Sequence, residues 1–555
     1  MTAAPRARTE AAAVALALGA ALYLWSAAPQ VLVGAFNDDG VYVALGKALA
    51  EGQGYHSAHL AGAPAHLKYP PLLPALLAVL WGTGSLTAVQ AMGVALSVIA
   101  SAGAGGLLWW LARRRLGLAA APTAFFVAGP FLLDATTQYL TLIISEPYYL
   151  LGWAAALVLA QRVHDQAAAP EAADGDDPAA ASGARGPVAL GAALGLVAAT
   201  TALARSQGIA LVIALPVVLL VRRATRRAGL ACAAAAVLPL AAWALVRGAL
   251  AARGPLPVEP DESYGAFVGG AGTLLSNALT AAWWNVRGYP TFYERYLVPW
   301  PALGTALLVA WLLLVLAGAW LLARRAPALV ATVAANVALV LVWPFTQDRL
   351  LLPTLPFAGV LAAAAVTRAT APWSRVARIA LGGGLAAVAV VVAAQQRAIR
   401  DDAGSAVRTG AAPRASRGTP RYAILRSSGE LYAQARWVLA STVPSARIFS
   451  RMPAGVYLYT GRQGANIDPA ESPFVPSVFA EPGRYVARRA VHDRIGVVVA
   501  DHPRGRAAVE VTAIARRCPH AVGYAGGTGP VFYALRLEDP CLRAFAGSEP
   551  AGGGR

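Results

Sequence analysis

Lysine is almost absent from this sequence, because Lys47 and Lys68 are the only two lysines among 46 basic residues. Charged residues of any kind are scarce, at 13% of 555 residues, and the net charge of +18 comes almost entirely from arginine. No basic stripe interleaved with aromatic residues is present, so nucleic acid is not expected as a partner. Arginine in an apolar chain is more typical of the flanks of membrane helices.

Cysteine is also scarce, with three residues. Cys232 lies inside an apolar run and is expected to be packed and unreactive. Cys518 and Cys541 both lie in the polar C-terminal part. If that part faces an oxidising compartment, these two cysteines are expected to form a disulfide.

Long apolar runs are abundant, since 57% of the residues are hydrophobic and several runs exceed the roughly 18 residues that cross a bilayer. The sequence therefore predicts a polytopic α-helical membrane protein in the plasma membrane. The predicted spans number about eleven and lie near 11–33, 85–112, 117–134, 142–161, 187–204, 206–221, 228–250, 299–323, 327–345, 350–367 and 378–396.

Arginine-rich connectors fall on one side of these spans, and the positive-inside rule assigns that side to the cytoplasm. The first apolar run could instead be a cleaved signal peptide, because Arg6 and Arg8 precede it and "WSAAPQ" resembles a cleavage site. With that run retained, the N-terminus is cytoplasmic and the loops 34–70 and 251–298 are outside. The stretch 187–221 is too long for one span and must be a hairpin with "ARSQG" at its tip, whereas 71–81 is too short and is expected to lie along the outer surface.

The residues after the last span form a second region. Residues 397–420 are rich in Ala, Gly, Arg and Ser and are typical of a linker. Residues 421–555 combine helix-like "ELYAQARWVLAST" with strand-like "RIFS", "GVVVAD" and "VFYALRL", which predicts a small extracytoplasmic α/β domain. The domain contains no G-x-G-x-x-G and no P-loop, so no nucleotide site is expected.

Two adjacent acids, Asp38 and Asp39, follow the first apolar run in "FNDDGVY". They could simply cap the next helix. However, they share the first outer loop with Lys68, which two prolines follow and hold rigid. The three histidines of this loop have no zinc-site spacing, and His66 is expected near a substrate rather than on a metal.

Other charged residues lie at the predicted outer rim. Glu146 in "SEPYYL" could be a helix-start acid, and Arg205 and Arg349 could extend to the membrane interface. Ionisable residues at the edge of a span are functional candidates by default. Acids and cations converging on one face indicate a site for an anionic substrate. The aromatic segment "YPTFYERY", which contains Tyr293, suits an interfacial belt or the lining of a groove.

An ordered set of motifs across roughly the first 370 residues resembles the GT-C superfamily of membrane glycosyltransferases, in particular relatives of aminoarabinose transferases and protein mannosyltransferases. The motifs are "DDGVY", "GQGY", "KYPPLLPALLAVLW", "SEPYYLL", "ARSQGIAL" and "DRLLLPTLPF". Asp39 stands where glutamate is commoner in the family, and a tyrosine separates the lysine from the prolines. The C-terminal domain matches no such motif.

The resemblance implies transfer of a sugar from a polyprenyl-phosphate donor to an acceptor of the cell envelope, which could be a glycan, a lipid or a protein. Asp38 would be the catalytic acid of the first loop, with Asp39 and Glu146 beside it, and Lys68, Arg205 and Arg349 would bind the donor phosphate. The candidate substrate groove comprises Tyr42, Tyr55, His66, Tyr69 and Tyr293. A divalent metal ion held by the three acids is an open alternative. A flippase for a lipid-linked glycan, or a polysaccharide polymerase or ligase, would use a similar set of charges.

Overall fold

The structure is a computed structural model that describes residues 3–168, 185–253, 274–296, 301–409, 413–414, 416, 419–468, 481–500, 505–526 and 530–547. Side chains are described for these residues except 3–8, 168, 185, 291–296 and 301–303. The α-helices before the C-terminal domain are Ala3–Ala27, Asp38–Ala50, Leu72–Trp81, Leu86–Trp110, Ala120–Thr123, Asp134–Thr141, Glu146–Ala168, Arg185–Ala204, Ile209–Val221, Arg226–Arg253, Leu274–Tyr296, Pro301–Leu322, Pro327–Leu341, Asp348–Leu351, Leu355–Ala369 and Arg375–Thr409.

Seven helices in the described ranges are long and apolar enough to cross a membrane, and the pair Asp134–Thr141 and Glu146–Ala167, bent by 94°, would make an eighth span. Shorter apolar helices lie between them. The core of this helical bundle includes Trp153 stacked on Phe357, with ring centroids 3.8 Å apart. The chain is thus a multi-pass membrane protein, and the number eleven stays a prediction.

Two predicted elements have the expected shape. The stretch 187–221 folds into the helices Arg185–Ala204 and Ile209–Val221, joined by a short 3-10 turn, Ser206–Gly208, at the predicted tip. The short stretch 71–81 forms the ten-residue helix Leu72–Trp81. Both outcomes follow from the length of helix that a bilayer accommodates.

Three predicted elements differ. The span predicted near 117–134 is a shorter apolar helix, 120–132, whose turns change from α (Ala120–Thr123) to π (Ala124–Ala128) and to 3-10 (Gly129–Leu132). Residues 397–409, expected in the linker, continue the helix Arg375–Thr409, because no proline interrupts them. The loop 251–298 contains the helix Leu274–Tyr296.

The C-terminal region contains the helices Pro420–Ser441, Pro453–Thr460, Arg484–Asp493, Arg506–Arg517 and Pro540–Gly547 and the strands β1 (Ile448–Ser450), β2 (Gly464–Asn466), β3 (Val497–Ala500), β4 (Val522–Gly526) and β5 (Val531–Leu535). The strands form one mixed sheet in the order β2-β1-β3-β5-β4. Strands β1 and β3 run parallel, as do β1 and β2, whereas β5 is antiparallel to β3 and β4. A disulfide joins Cys518 to Cys541, and Cys232 is a buried free thiol.

The C-terminal region is docked on the bundle. Arg421 forms a buried ion pair with Asp134, with Nε and Oδ1 2.6 Å apart. The backbone of Gly34 has a φ of 92° and packs so closely that an added Cβ would lie 2.4 Å from the Cα of Gly455. Only glycine fits such a contact, so the first loop and the helix Pro453–Thr460 are held backbone against backbone.

Candidate functional site

A pocket lined by charged and apolar residues lies at one end of the helical bundle, between the first loop (residues 34–70), Ser145, the tip of the hairpin 185–221 and the segment 339–350. Its volume is about 740 Å³ including its open mouth. The lining includes four of the charged residues that the sequence singled out: Asp38, Lys68, Arg205 and Arg349. The convergence of these charges on one face is therefore a feature of the fold.

The helix Asp38–Ala50 presents one of its two acids to the pocket. Asp38 and Tyr42, four residues apart, both line it. Asp39 does not, because neighbouring residues on an α-helix point about 100° apart. Its Oδ2 accepts a hydrogen bond of 2.9 Å from the backbone N–H of Gly34, and the residue is 3% exposed.

Asp38 is paired with Arg349 across the pocket. Arg349 Nη1 lies 2.5 Å from Asp38 Oδ2, and Arg349 Nε donates to the side-chain oxygen of Gln347 at 3.1 Å. Both charged side chains keep some exposure, 16% for Asp38 and 18% for Arg349. Burial alone would raise the pKa of Asp38, but the charges of Arg349 and Lys68 outweigh it and hold the pKa below its usual value. Asp38 is therefore an ionised acid within reach of a substrate.

Arg205 is paired with Glu146 on a second wall. Arg205 Nη1 lies 2.9 Å from Glu146 Oε1 and donates a hydrogen bond of 2.9 Å to Ser145 Oγ. Neither side-chain oxygen of Glu146 has a hydrogen-bond partner, so its contact with Arg205 is purely ionic, and Glu146 is 1% exposed. Arg205 Nε also donates to the side-chain oxygen of Gln207 at 2.9 Å. Glu146 thus neutralises the charge of Arg205 from the buried side, and Arg205 lines the pocket.

Lys68 lies on an aromatic platform. Its Nζ is 5.2 Å from the centre of the Tyr69 ring, which in turn stacks on Tyr42 at 4.6 Å. Asp38 lies within charge–charge range of Lys68. Because Pro70 and Pro71 follow Tyr69, the backbone at Tyr69 has little freedom. The ammonium group is therefore held at the mouth by stacked rings and a rigid backbone.

Burial raises the pKa of Asp39 to about 7, although N–H groups of Gly34 and Gly40 donate to its carboxyl. The Oδ1 atom has no hydrogen-bond partner. A buried acceptor without a partner fits a carboxyl that is protonated near neutral pH. The pKa values of the two adjacent acids are thus shifted in opposite directions by their different surroundings.

Two of the predicted groove residues, Tyr55 and His66, are not part of the pocket lining. Tyr55 and His66 lie behind Tyr69, where Tyr55 OH contacts the carbonyl oxygens of Tyr69 and Pro70 at 3.0 and 3.1 Å. His66 Nε2 accepts a 3.0 Å hydrogen bond from the N–H of Tyr69. Tyr293 belongs to the helix Leu274–Tyr296, and its side chain lies outside the described part of the chain. The remaining two, Tyr42 and Tyr69, do line the pocket.

The three acids do not form a metal site. Asp38 and Glu146 each contact an arginine, and Asp39 is directed away toward Gly34. Within the described ranges, no three side chains of the His, Cys, Asp or Glu type are grouped to hold an ion. A divalent ion needs several oxygen ligands at once, which this arrangement does not supply.

Sequence reasoning missed the glutamines that hold both arginines. Gln207 and Gln347 each lie two residues from the arginine they contact, in "RSQ" and "QDR". Gln207 also donates to Asn336 Oδ1 and to the carbonyl of Leu350, at 2.9 and 2.8 Å, which links the two arginine-bearing segments. The matching glutamine–arginine spacing in the two motifs is the signal that could have identified them.

Searches for relatives by sequence find nothing, since no family model matches and no curated protein does. Solved structures do match. An archaeal oligosaccharyltransferase, AglB from Archaeoglobus fulgidus in complex with an inhibitory peptide and a dolichol-phosphate, has a TM-score of 0.50 and 14% identity over 94% of this chain and 74% of its own. An Archaeoglobus fulgidus oligosaccharyltransferase tethered with an acceptor peptide has a TM-score of 0.50 and 15% identity over the same shares of the two chains. ArnT from Cupriavidus metallidurans, bound to undecaprenyl phosphate, has a TM-score of 0.48 and 15% identity over 97% of this chain and 99% of its own.

The oligosaccharyltransferase has the GT-C fold, so the fold that the motifs of the first 370 residues indicate is the fold of this chain. At such low identity the likeness concerns the fold alone, and the roles of individual residues are argued from this chain.

Proposed function

We propose that this protein is a membrane glycosyltransferase that transfers a sugar from a polyprenyl-phosphate donor to an acceptor of the cell envelope at the extracytoplasmic face. One observation carries the proposal. Three cations, Lys68, Arg205 and Arg349, and one ionised acid, Asp38, line a single pocket at the end of an apolar helical bundle. A lipid-linked phosphate needs that combination of an apolar chain site and a cationic head site.

The chemistry assigns different work to the two kinds of charge. The acceptor hydroxyl oxygen attacks the anomeric carbon, and the bond from that carbon to the phosphate oxygen breaks. The phosphate gains negative charge as it leaves, and fixed cations stabilise that charge in the transition state. Asp38 takes the proton of the acceptor hydroxyl, the role that an ionised carboxylate performs in general base catalysis.

Both arginines are held ready for this task. Arg349 and Arg205 each have a carboxylate and a glutamine as fixed partners on the protein side. Preformed partners lower the reorganisation that the charge development requires. A planar guanidinium can also bind two phosphate oxygens at once.

The fold similarity supports the same class of donor. The matched oligosaccharyltransferase structure contains a dolichol-phosphate, which is a polyprenyl-type lipid phosphate. The apolar faces of the bundle would accommodate such a chain in the bilayer. The proposal also places the pocket at the extracytoplasmic face and divides the chain into residues 1–396, 397–420 and 421–555, with the helix Arg375–Thr409 extending across the first limit.

The direct test is to incubate the purified protein in detergent or nanodiscs with a panel of radiolabelled polyprenyl-phosphate sugars. We expect transfer to an added envelope extract, or slow hydrolysis without an acceptor, for at least one sugar. Lys68→Ala should reduce the signal, whereas Lys47→Ala, at the only other lysine, should leave it unchanged. If no donor in the panel reacts but a labelled lipid-linked glycan crosses a proteoliposome membrane, the protein is a flippase and the proposal is wrong.

A further inference from the structure

Residues 55–66 of the first loop, which precede Lys68, form a narrow hairpin. His56 and Ala65 form an antiparallel bridge, and the N–H of Ser57 donates to the carbonyl of Pro64 at 2.8 Å. One end of this hairpin meets the C-terminal sheet, and the other leads into the pocket through Lys68 and Tyr69. The hairpin therefore lies between the C-terminal domain and the candidate donor site.

At its outer end the hairpin joins the edge strand β2. Leu60 forms a parallel bridge with Gly464. The N–H of Gly464 donates to the carbonyl of His59 at 2.9 Å, and the N–H of Ala61 donates to the carbonyl of Gly464 at 2.8 Å. The side-chain amide of Gln463 adds a 3.0 Å bond to the carbonyl of Ala58. The hairpin tip thus covers an edge of the sheet that would otherwise be open to pairing.

At its inner end one histidine holds the pocket wall. The N–H of Tyr69 can only donate, so the Nε2 atom of His66 that receives it carries a lone pair. In the neutral ring the proton is then on Nδ1, which lies 2.9 Å from Ser57 Oγ and donates to it. Ser57 and His66 are each 1% exposed. His66 therefore connects the hairpin to the backbone of Tyr69 with both ring nitrogens.

We propose that His66 is a positioning residue for the donor site, and that the C-terminal sheet anchors it through the hairpin 55–66. The proposal rests on the proposed function. His66 fixes the backbone of Tyr69, the Tyr69 ring supports Lys68, and Lys68 meets the donor phosphate. The contacts form an unbroken chain from β2 to the pocket, and such a chain can transmit a displacement.

The kinetic test compares three histidine variants with the wild type. We expect His66→Ala to raise the donor KM roughly tenfold with a smaller change in kcat, because a displaced Lys68 weakens phosphate binding. His66→Gln should recover much of the loss, since its amide oxygen can accept from the N–H of Tyr69. The control is His56→Ala, because His56 belongs to the same hairpin but its ring hydrogen-bonds the carbonyl of Gln53 and not the backbone of Tyr69. Equal donor KM values for His66→Ala and His56→Ala would overturn the proposal.

A second measurement does not depend on activity. Hydrogen–deuterium exchange of the peptide covering 54–69 should be several-fold faster in Gln463→Ala, which removes the side-chain bond to Ala58, than in the control Gln53→Ala at an exposed position. Unchanged exchange in Gln463→Ala would refute the anchoring by the sheet. If the wild type converts no donor but the exchange responds, the proposed function fails while the anchoring stands.

Discussion

The two acids of "NDDGVY" differ in every respect but their position in the chain. Asp38 faces the pocket, contacts Arg349 and is ionised, whereas Asp39 faces the C-terminal domain, receives the N–H of Gly34 and has a pKa raised to about 7. Sites that perform acid–base chemistry often give neighbouring carboxyl groups different pKa values in this way. Here the difference separates the face of the helix Asp38–Ala50 that lines the pocket from the face that packs against Gly34.

The largest expected effect is at Asp38. Asp38→Asn should lower kcat by a factor of about 100 or more, the usual scale for loss of a general base. Asp39→Asn should change kcat far less, because Asp39 does not line the pocket and an amide replaces a carboxyl that is largely protonated below pH 7. Steady-state transfer assays of both variants, with folding checked by size-exclusion chromatography, compare the two faces directly. Equal losses in the two variants would abolish the distinction between them.

The next effect concerns the phosphate. Lys68→Ala should raise the donor KM or slow departure of the phosphate, because a fixed positive charge is removed from the pocket mouth. A change in KM alone would indicate ground-state binding, and a parallel fall of kcat and kcat/KM would indicate stabilisation of the leaving group. Lys68→Arg should recover part of the activity. Unchanged donor kinetics in a folded Lys68→Ala protein would remove the phosphate role.

Much of this site could be predicted from the sequence, and the failures have physical causes. Asp38, Lys68, Arg205 and Arg349 were identifiable because charges at the ends of apolar runs are rare and need a reason. Asp39 was misplaced because a shared motif hides the 100° turn between helical neighbours. The loop residues behind Tyr69 were misplaced because spacing in a loop does not define direction.

The fold shows the same division. Helix ends set by length, such as the hairpin tip at 206–208, were predictable. The continuation of the last long helix to Thr409 was not, since composition typical of a linker is also compatible with a helix that leaves the membrane. The edge strands β2 and β4 were missed because "GAN" and "VGYAG" carry few strand-forming residues, and pairing with neighbours determines them.

Asp39 should make stability depend on pH. Its pKa is about 7 in the folded protein against a reference value of 3.8, so between these values the folded state holds the proton more tightly than the unfolded state. Stability is therefore highest at the acid end of this window and falls as the pH rises toward 7, by on the order of a few kcal/mol. Thermal unfolding of the wild type and of Asp39→Asn between pH 5 and 8 measures this, and the variant should lose most of the decline. An equal pH dependence of stability in the wild type and in Asp39→Asn would show that the pKa of Asp39 is not raised.

The smallest effect on turnover is expected at the disulfide, which lies in the structural region and outside the pocket. Cys518→Ser with Cys541→Ser should keep the wild-type kcat at low temperature, because neither residue contacts the pocket lining. Opening a loop with a sequence separation of 23 should destabilise the C-terminal domain by about 3 kcal/mol on a chain-entropy estimate.

The informative quantity in this variant is the temperature at which activity disappears. If the sheet holds the hairpin 55–66, donor affinity should fall at the temperature at which the C-terminal domain unfolds, while the bundle is still folded. Hydrogen–deuterium exchange at β2 measures that unfolding. Activity that persists until the bundle itself unfolds would show that the pocket needs no support from the domain beside it.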